Sequence, residues 1–278
     1  MSPMLQVEDL NVSFATPLGL VHAVRGVSFS MGREKLAIVG ESGSGKSVTG
    51  RALMGLVAPP GQVTAKRLDF DGIALACAKP AAFRTLRGRR IALVMQDPKF
   101  SLNPLQRIGD QIAESLRLHT GLSRAAARTR SLAMLEAVRI DDPDRVYRAY
   151  PHELSGGMAQ RAMLSMMLVA EPDLLIADEP TSALDVTVQS EILSILNEQI
   201  HRRGMGLIFI SHDLRLVSRF CDRVLVMYAG RIVETIAAAD LAQAKHPYTQ
   251  GLFGCLPNLD RPGVPLPVLT RDAAWLTA

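Results

Sequence analysis

The 278-residue chain is poor in cysteine, in charge of one sign and in long apolar runs, and each shortage closes off a class of protein. Cys77, Cys221 and Cys255 are its only cysteines. Scattered, odd in number and without metal-ligand spacing, they argue against a disulfide framework and fit a reducing compartment with free thiols. Nowhere do 18 consecutive apolar residues occur; the longest candidates, such as Met163 to Ala170, are short and amphipathic, so no membrane span is expected. Met1 to Leu10 carries Glu8 and Asp9 and no apolar segment, which does not read as a secretory signal. The 31 Lys and Arg residues are interspersed with 27 acids, leaving a net charge of only +4, so nucleic acid is not expected as a partner. What remains is 48% hydrophobic and 21% charged, a composition that folds into one large domain or two moderate ones.

The most informative stretch is Gly40, Glu41, Ser42, Gly43, Ser44, Gly45, Lys46 and Ser47, which fits the phosphate-binding pattern G-x-x-x-x-G-K-[S/T] without a mismatch. It follows the apolar run Leu36 to Val39 and leads into a helix-compatible segment ending near Leu56, so it lies at a strand-to-helix turn. Glycines let the backbone curl until successive amide N–H groups face one anion, and the helix N-terminus adds its positive end. Lys46 is expected to reach the β- and γ-phosphates of a nucleoside triphosphate, and the Ser47 hydroxyl to hold Mg²⁺.

Residues Leu5 to Met31 and Arg67 to Gly72 read as strands of an antiparallel layer beside this core, with a turn at Asp71-Gly72. Phe14, upstream of the loop, reads from its strand alone as plain core, and only the family resemblance given below makes it a platform for an adenine ring. Ile91 to Met95 predicts a buried strand delivering Gln96 at its carboxyl end, where open α/β sheets place ligands. Helical periodicity follows over Pro104 to His119 and Ser123 to Ile140, with Ser123 as N-cap. This defines a helical insertion of about residues 101–154, on which Arg124, Arg128 and Arg130 read as a solvated face. A helix from Leu154 to Ala170, a buried strand ending in Asp178 and Glu179, a helix over Val186 to Arg203 stopped by Gly204, and the strand Leu207 to Ile210 ending in Ser211-His212-Asp213 complete a parallel α/β core. Val224 to Met227 and Arg231 to Thr235 predict a hairpin, and the proline-rich residues 257–278 a loosely packed tail.

Hydrolysing a triphosphate needs a cradle, a cation and a group that prepares the attacking water. Asp178 closes an apolar strand, where an acid has little structural excuse unless it faces a cation or a donor. Glu179 is the candidate general base. Gln96 and His212, each weak alone, become candidate sensors of the γ-phosphate and water when both end strands of one sheet. One stretch is left over. Ser155, Gly156 and Gly157 open a helix and form a second anion site that the first nucleotide does not need. It reads either as a plain capped helix or as a site for the nucleotide of a partner.

With these motifs in this order, the chain resembles the ATP-binding-cassette ATPases over about residues 5–256. Gly40 to Ser47 matches their Walker A, Gln96 the glutamine loop, Leu154 to Met158 the signature, Leu174 to Glu179 the Walker B and catalytic glutamate, Ser182 to Asp185 the D-loop, and His212 the switch histidine. The resemblance implies an α/β P-loop core with a parallel sheet, an antiparallel β subdomain and a helical insertion, in one domain of residues 1–256. It implies ATP and Mg²⁺ as ligands, with Ser47, Gln96 and Asp178 on the cation. It also implies a head-to-tail pair of cassettes in which Ser155 and Gly157 of one pin the γ-phosphate on the phosphate loop of the other, with Gly156 and Asp185 also among the nucleotide-binding residues. Tyr150 to Met158, Gln96-Asp-Pro and His246-Pro-Tyr-Thr249 resemble the dipeptide, oligopeptide and nickel importer branch. That implies an ATP-hydrolysing subunit, as homodimer or heterodimer, bound to two permease subunits at the cytoplasmic face of a bacterial inner membrane and served by a periplasmic or extracellular solute-binding protein. Uptake of dipeptides or oligopeptides is expected; nickel, a metal chelate or an opine-like solute is the alternative cargo. A soluble cassette acting on DNA or ribosomes is the alternative of another class, disfavoured by a single phosphate loop and no sustained heptads. Many members carry a cysteine-rich iron–sulfur tail, but no cysteine follows Cys255, so no cluster is expected.

Overall fold

The structure, a computed structural model, describes residues 3–76, 78, 80–182, 184–255, 272 and 275. Cys77 and, apart from Asp272 and Trp275, the expected tail of residues 257–278 lie outside the described residues. In chain order the elements are β1 (Leu5–Thr16), β2 (Gly19–Met31), β3 (Lys35–Val39), α1 (Lys46–Leu53), β4 (Gly61–Thr64), β5 (Arg67–Phe70), β6 (Ile73–Ala74), α2 (Pro80–Leu86), β7 (Ile91–Val94) and α3 (Pro98–Ser101). There follow α4 (Ile108–Thr120), α5 (Arg124–Ala137), α6 (Pro143–Arg148), α7 (Gly156–Leu168), β8 (Leu174–Asp178), α8 (Val186–Arg203), β9 (Gly206–Ser211), α9 (Leu214–Phe220), β10 (Arg223–Tyr228), β11 (Arg231–Ala237) and α10 (Pro247–Gly254). They divide into two compact units, residues 1–80 with 208–278, and residues 81–207.

The first unit carries the antiparallel layer that the sequence predicts. Its strands run in the order β2-β1-β5-β6, with β4 also pairing with β1. Asp71-Gly72 turns β5 into β6 as expected, with Asp71 at φ 48° and Gly72 at φ 79°. In the same unit β10 lies between β11, antiparallel to it, and β3, parallel to it, and β9 is the other neighbour of β3. Leu36, Ala37, Ile38 and Val39 of β3 are all buried, as are Val224 to Met227 of β10. Such unbroken apolar runs, rather than alternation, mark strands covered on both faces. Each large side chain so buried contributes about 1.5–3 kcal/mol. Cys221, buried beside these strands, has its thiol pushed up to about 12 by that burial and is a free, inert cysteine.

The second unit holds the parallel pair β7 and β8 and the helices α4 to α8. The expected helical insertion of residues 101–154 lies inside it. Helix α4 begins at Ile108 rather than at Pro104, because Asn103 and Gln106 are tied into a loop by the buried Gln111, whose amide donates to both their carbonyls. Its core stripe is Ile108, Ile112 and Leu116, at helical spacing. Ser123 caps α5 as predicted, its hydroxyl accepting from the Ala126 N–H at 3.3 Å. Arg128 and Arg130 are exposed and pair with Asp144 and Glu171, the solvated face that was expected. The short helix α6 has no counterpart in the sequence reading; Asp142 caps it and Pro143 starts it. Helix α8 spans the residues expected, from the Asp185 cap to Gly204 in the left-handed region at φ 58°.

Candidate functional site

The phosphate loop leaves the carboxyl end of β3 and runs straight into α1. Its three positive-φ glycines are Gly40, Gly43 and Gly45, at φ 150°, 81° and 102°. Two of them also answer to crowding: a Cβ on Gly40 would clash with the Met227 carbonyl, and one on Gly45 with the Ala23 carbonyl. The β10–β11 turn holds the loop further, since the Gly230 N–H donates to the Ser44 carbonyl at 3.0 Å. Lys46 is buried, and its ammonium donates to the carbonyls of Gly40 and Glu41 at 2.8 Å each. Gly45, the N-cap of α1, offers no side-chain acceptor, and the first turn contains no acid. The positive end of the helix is thus neither capped nor neutralised from within, which suits an incoming phosphate. Met227, whose sulfur accepts from the buried Thr49 hydroxyl at 3.8 Å, packs behind the turn.

His212 closes β9 in the same unit and is exposed; the flanking Asp213 caps α9 by accepting from the Leu216 N–H. Phe14 sits on β1 opposite Val21 and Gly61, half-buried. A Cβ on Gly61 would come within 2.7 Å of its Cε1, so one edge of the ring lies against the first residue of β4.

In the second unit β7 and β8 pair in parallel with Val94 opposite Ala177, so their carboxyl ends emerge side by side. This brings Gln96, exposed, to the same edge as the buried Asp178 and the half-buried Glu179. Glu179 stands at φ 48°, the left-handed region that a non-glycine residue occupies at a cost of about 1–3 kcal/mol. Its carbonyl accepts from the Ser182 N–H and hydroxyl, at 3.3 and 3.2 Å. Gln160 of α7 is buried and donates to the Pro180 carbonyl at 2.6 Å, tying the helix to the turn just beyond Glu179. The sequence reading assigned Gln160 no role; a glutamine two residues past Met158 on a helix with so many buried positions was the available signal.

Ser155 is exposed at the tip of α7, its hydroxyl accepting from the Met158 N–H at 3.4 Å. Gly156 has open space where a Cβ would go, whereas at Gly157 a Cβ would stand 3.0 Å from Cγ1 of Val188. Asp185, also exposed, caps α8 by accepting from the N–H groups of Thr187 and Val188 at 3.0 Å each. Each of these polar side chains thus has a local capping duty in the single chain. Among the described residues no three His, Cys, Asp or Glu side chains gather into a cation site. A hydroxyl, an amide oxygen and one carboxylate are hard oxygen donors of the kind Mg²⁺ accepts when phosphate and water oxygens complete its shell.

A phosphate loop at a strand-to-helix turn, two acids closing a buried parallel strand and a serine–glycine helix tip define a nucleotide-binding α/β ATPase cassette. Residues 24–182 match the ABC transporter family, and the chain belongs to that family. It is 46% identical over 269 residues, covering 96% of this chain and 80% of the relative, to the dipeptide transport ATP-binding protein DppD of Bacillus subtilis. To the oligopeptide transport ATP-binding protein OppD of Salmonella typhimurium it is 48% identical over 262 residues, 94% of this chain and 78% of the relative. The fold is that of the dimeric MJ0796 bacterial ABC transporter cassette, with a TM-score of 0.75 and 23% identity over 84% of this chain and 99% of that one.

Proposed function

We propose that the chain is the ATP-hydrolysing subunit of an importer that takes up dipeptides and oligopeptides through partner permease subunits. The observation that carries the nucleotide reading is the N-terminus of α1, uncapped by any side chain, free of acids in its first turn and preceded by three glycines in positive φ. Gly40, Ser42, Gly43, Ser44, Gly45, Lys46 and Ser47 hold the phosphates, and Phe14 lies against the base. In binding, the Lys46 ammonium exchanges loop carbonyls for phosphate oxygens. Ser47, Gln96 and Asp178 hold Mg²⁺, which when bound neutralises charge on the phosphoryl group being transferred. Glu179 accepts a proton from the attacking water, and His212 steadies the closed arrangement. Ser155, Gly156, Gly157 and Asp185 serve the nucleotide of a second cassette, identical or related. No helix among the described residues is long and apolar enough to cross a membrane. The chain works at the cytoplasmic face of the membrane, held there by the permease, with solute delivered by a binding protein. Peptide cargo is favoured by the names of the relatives, to which this chain is 46% and 48% identical over 96% and 94% of its length.

Glu179→Gln tests the assignment. It keeps the shape and the nucleotide site but removes the base, so ATP hydrolysis falls about 10²–10⁴-fold while ATP binding and dimerisation persist. Wild-type turnover in that variant would remove Glu179 from the chemistry. Identifying the solute retained by the cognate binding protein tests the cargo.

A further inference from the structure

Tyr248 belongs to the His246-Pro-Tyr-Thr249 stretch, to which the sequence reading gave no chemical role. Its side chain is fully buried, and its hydroxyl accepts the Glu41 N–H at 3.0 Å. The two residues are 207 positions apart in the chain, yet they meet at the first peptide of the phosphate loop. His246 fixes the start of α10 by accepting from the Tyr248 N–H at 3.2 Å, which sets the direction of the ring. The ring lies 4.6 Å from that of Tyr228 and 5.7 Å from that of Trp275, while Tyr228 and Trp275 are themselves 5.6 Å apart. Tyr228 follows Met227, whose carbonyl is the one that leaves Gly40 no room for a side chain.

The Gly40-Glu41 segment is therefore held in two ways. Lys46 takes its two carbonyls from within the loop, and Tyr248 takes the Glu41 N–H. On the reading given above, the lysine must turn from those carbonyls to the phosphates when a triphosphate arrives. The tyrosine takes no part in that exchange, and its hold on the Glu41 N–H outlasts it. We propose that Tyr248 is a positioning residue for nucleotide binding, keeping the entry of the phosphate loop in its binding-competent shape while Lys46 changes partners. A loop that populates this shape only a tenth of the time binds about ten times more weakly.

The test uses the full chain and Mg-ADP or Mg-ATP, read by calorimetry and by the emission of Trp275, the only tryptophan in the sequence. Tyr248→Phe keeps the ring cluster and removes the hydroxyl. Affinity for nucleotide is expected to fall about tenfold, with the KM for ATP rising while kcat changes much less. Hydrogen exchange over residues 40–46 should quicken in the nucleotide-free variant. Thr249→Val is the control: it removes the neighbouring buried hydroxyl, which has no hydrogen-bond partner among the described residues, and should leave affinity unchanged. Wild-type affinity in Tyr248→Phe, whatever its melting temperature, overturns the proposal, and so does an equal loss in the control. Lys46→Ala separates this from the reading beneath it. If that variant also binds as the wild type does, the loop is not the nucleotide site and the proposed function fails first; if it does not bind and Tyr248→Phe does, only the role of Tyr248 is wrong.

Discussion

Among the described residues, the two helix tips proposed above to meet an anion are built in opposite ways. The tip of α1 is clamped: Lys46 lies buried within it, the β10–β11 turn bonds to Ser44, and neighbouring carbonyls leave Gly40 and Gly45 no room for a side chain. The tip of α7 is open: Ser155 and Gly156 are exposed, Ser155 caps its own helix, and nothing lies near the missing Cβ of Gly156. A clamped tip is organised before its ligand arrives and can work within one chain. An open tip that already satisfies its own N–H group acquires a ligand only when something is brought to it from outside. On the function proposed above, the same local feature, a helix N-terminus with glycines, is put to two uses by its surroundings.

Substitutions at the two tips can break or sharpen this contrast. The largest effect is expected from Gly45→Ala, which meets the Ala23 carbonyl and must hold φ near 102°. It should destabilise the chain by about 3 kcal/mol and abolish nucleotide binding, read by urea unfolding and by titration. A variant that unfolds with the wild type would mean that the loop is not clamped. Ser155→Ala removes a cap and should cost about 1 kcal/mol of stability, with hydrolysis by the assembled transporter reduced. The smallest effect on stability belongs to Gly156→Ala, within about 0.5 kcal/mol, because the space is open. If hydrolysis by the assembly nevertheless falls, the added methyl is obstructing a partner rather than the fold. Unchanged hydrolysis would leave the tip of α7 as nothing more than a capped helix.

The parts legible in the sequence are those whose signals are local. The phosphate loop is contiguous, the helical spacing from Val186 and the Gly204 stop mark out α8, and the apolar run of β8 ends in its two acids within one short stretch. Even at this level the Pro104 start of α4 was misjudged, since the chain there is held by Gln111 rather than by helix bonds. What could not be read were contacts between distant positions. Nothing near Gln160 signals that its amide will meet the Pro180 carbonyl, and nothing near Tyr248 points to Glu41. Both become visible only once the fold brings the partners together. Of the expected tail only Asp272 and Trp275 are described, and the packing of Trp275 against the rings of Tyr228 and Tyr248 is another contact between distant positions.

The left-handed backbone at Glu179 narrows what the chain can tolerate there. Glycine, asparagine and aspartate adopt that geometry most readily, and none of them carries a carboxylate on so long an arm. Relaxing the peptide and keeping the reach of the acid are therefore opposed demands on one position. If Glu179 is the base proposed above, the strain there is the cost of keeping a long-armed carboxylate at the end of β8.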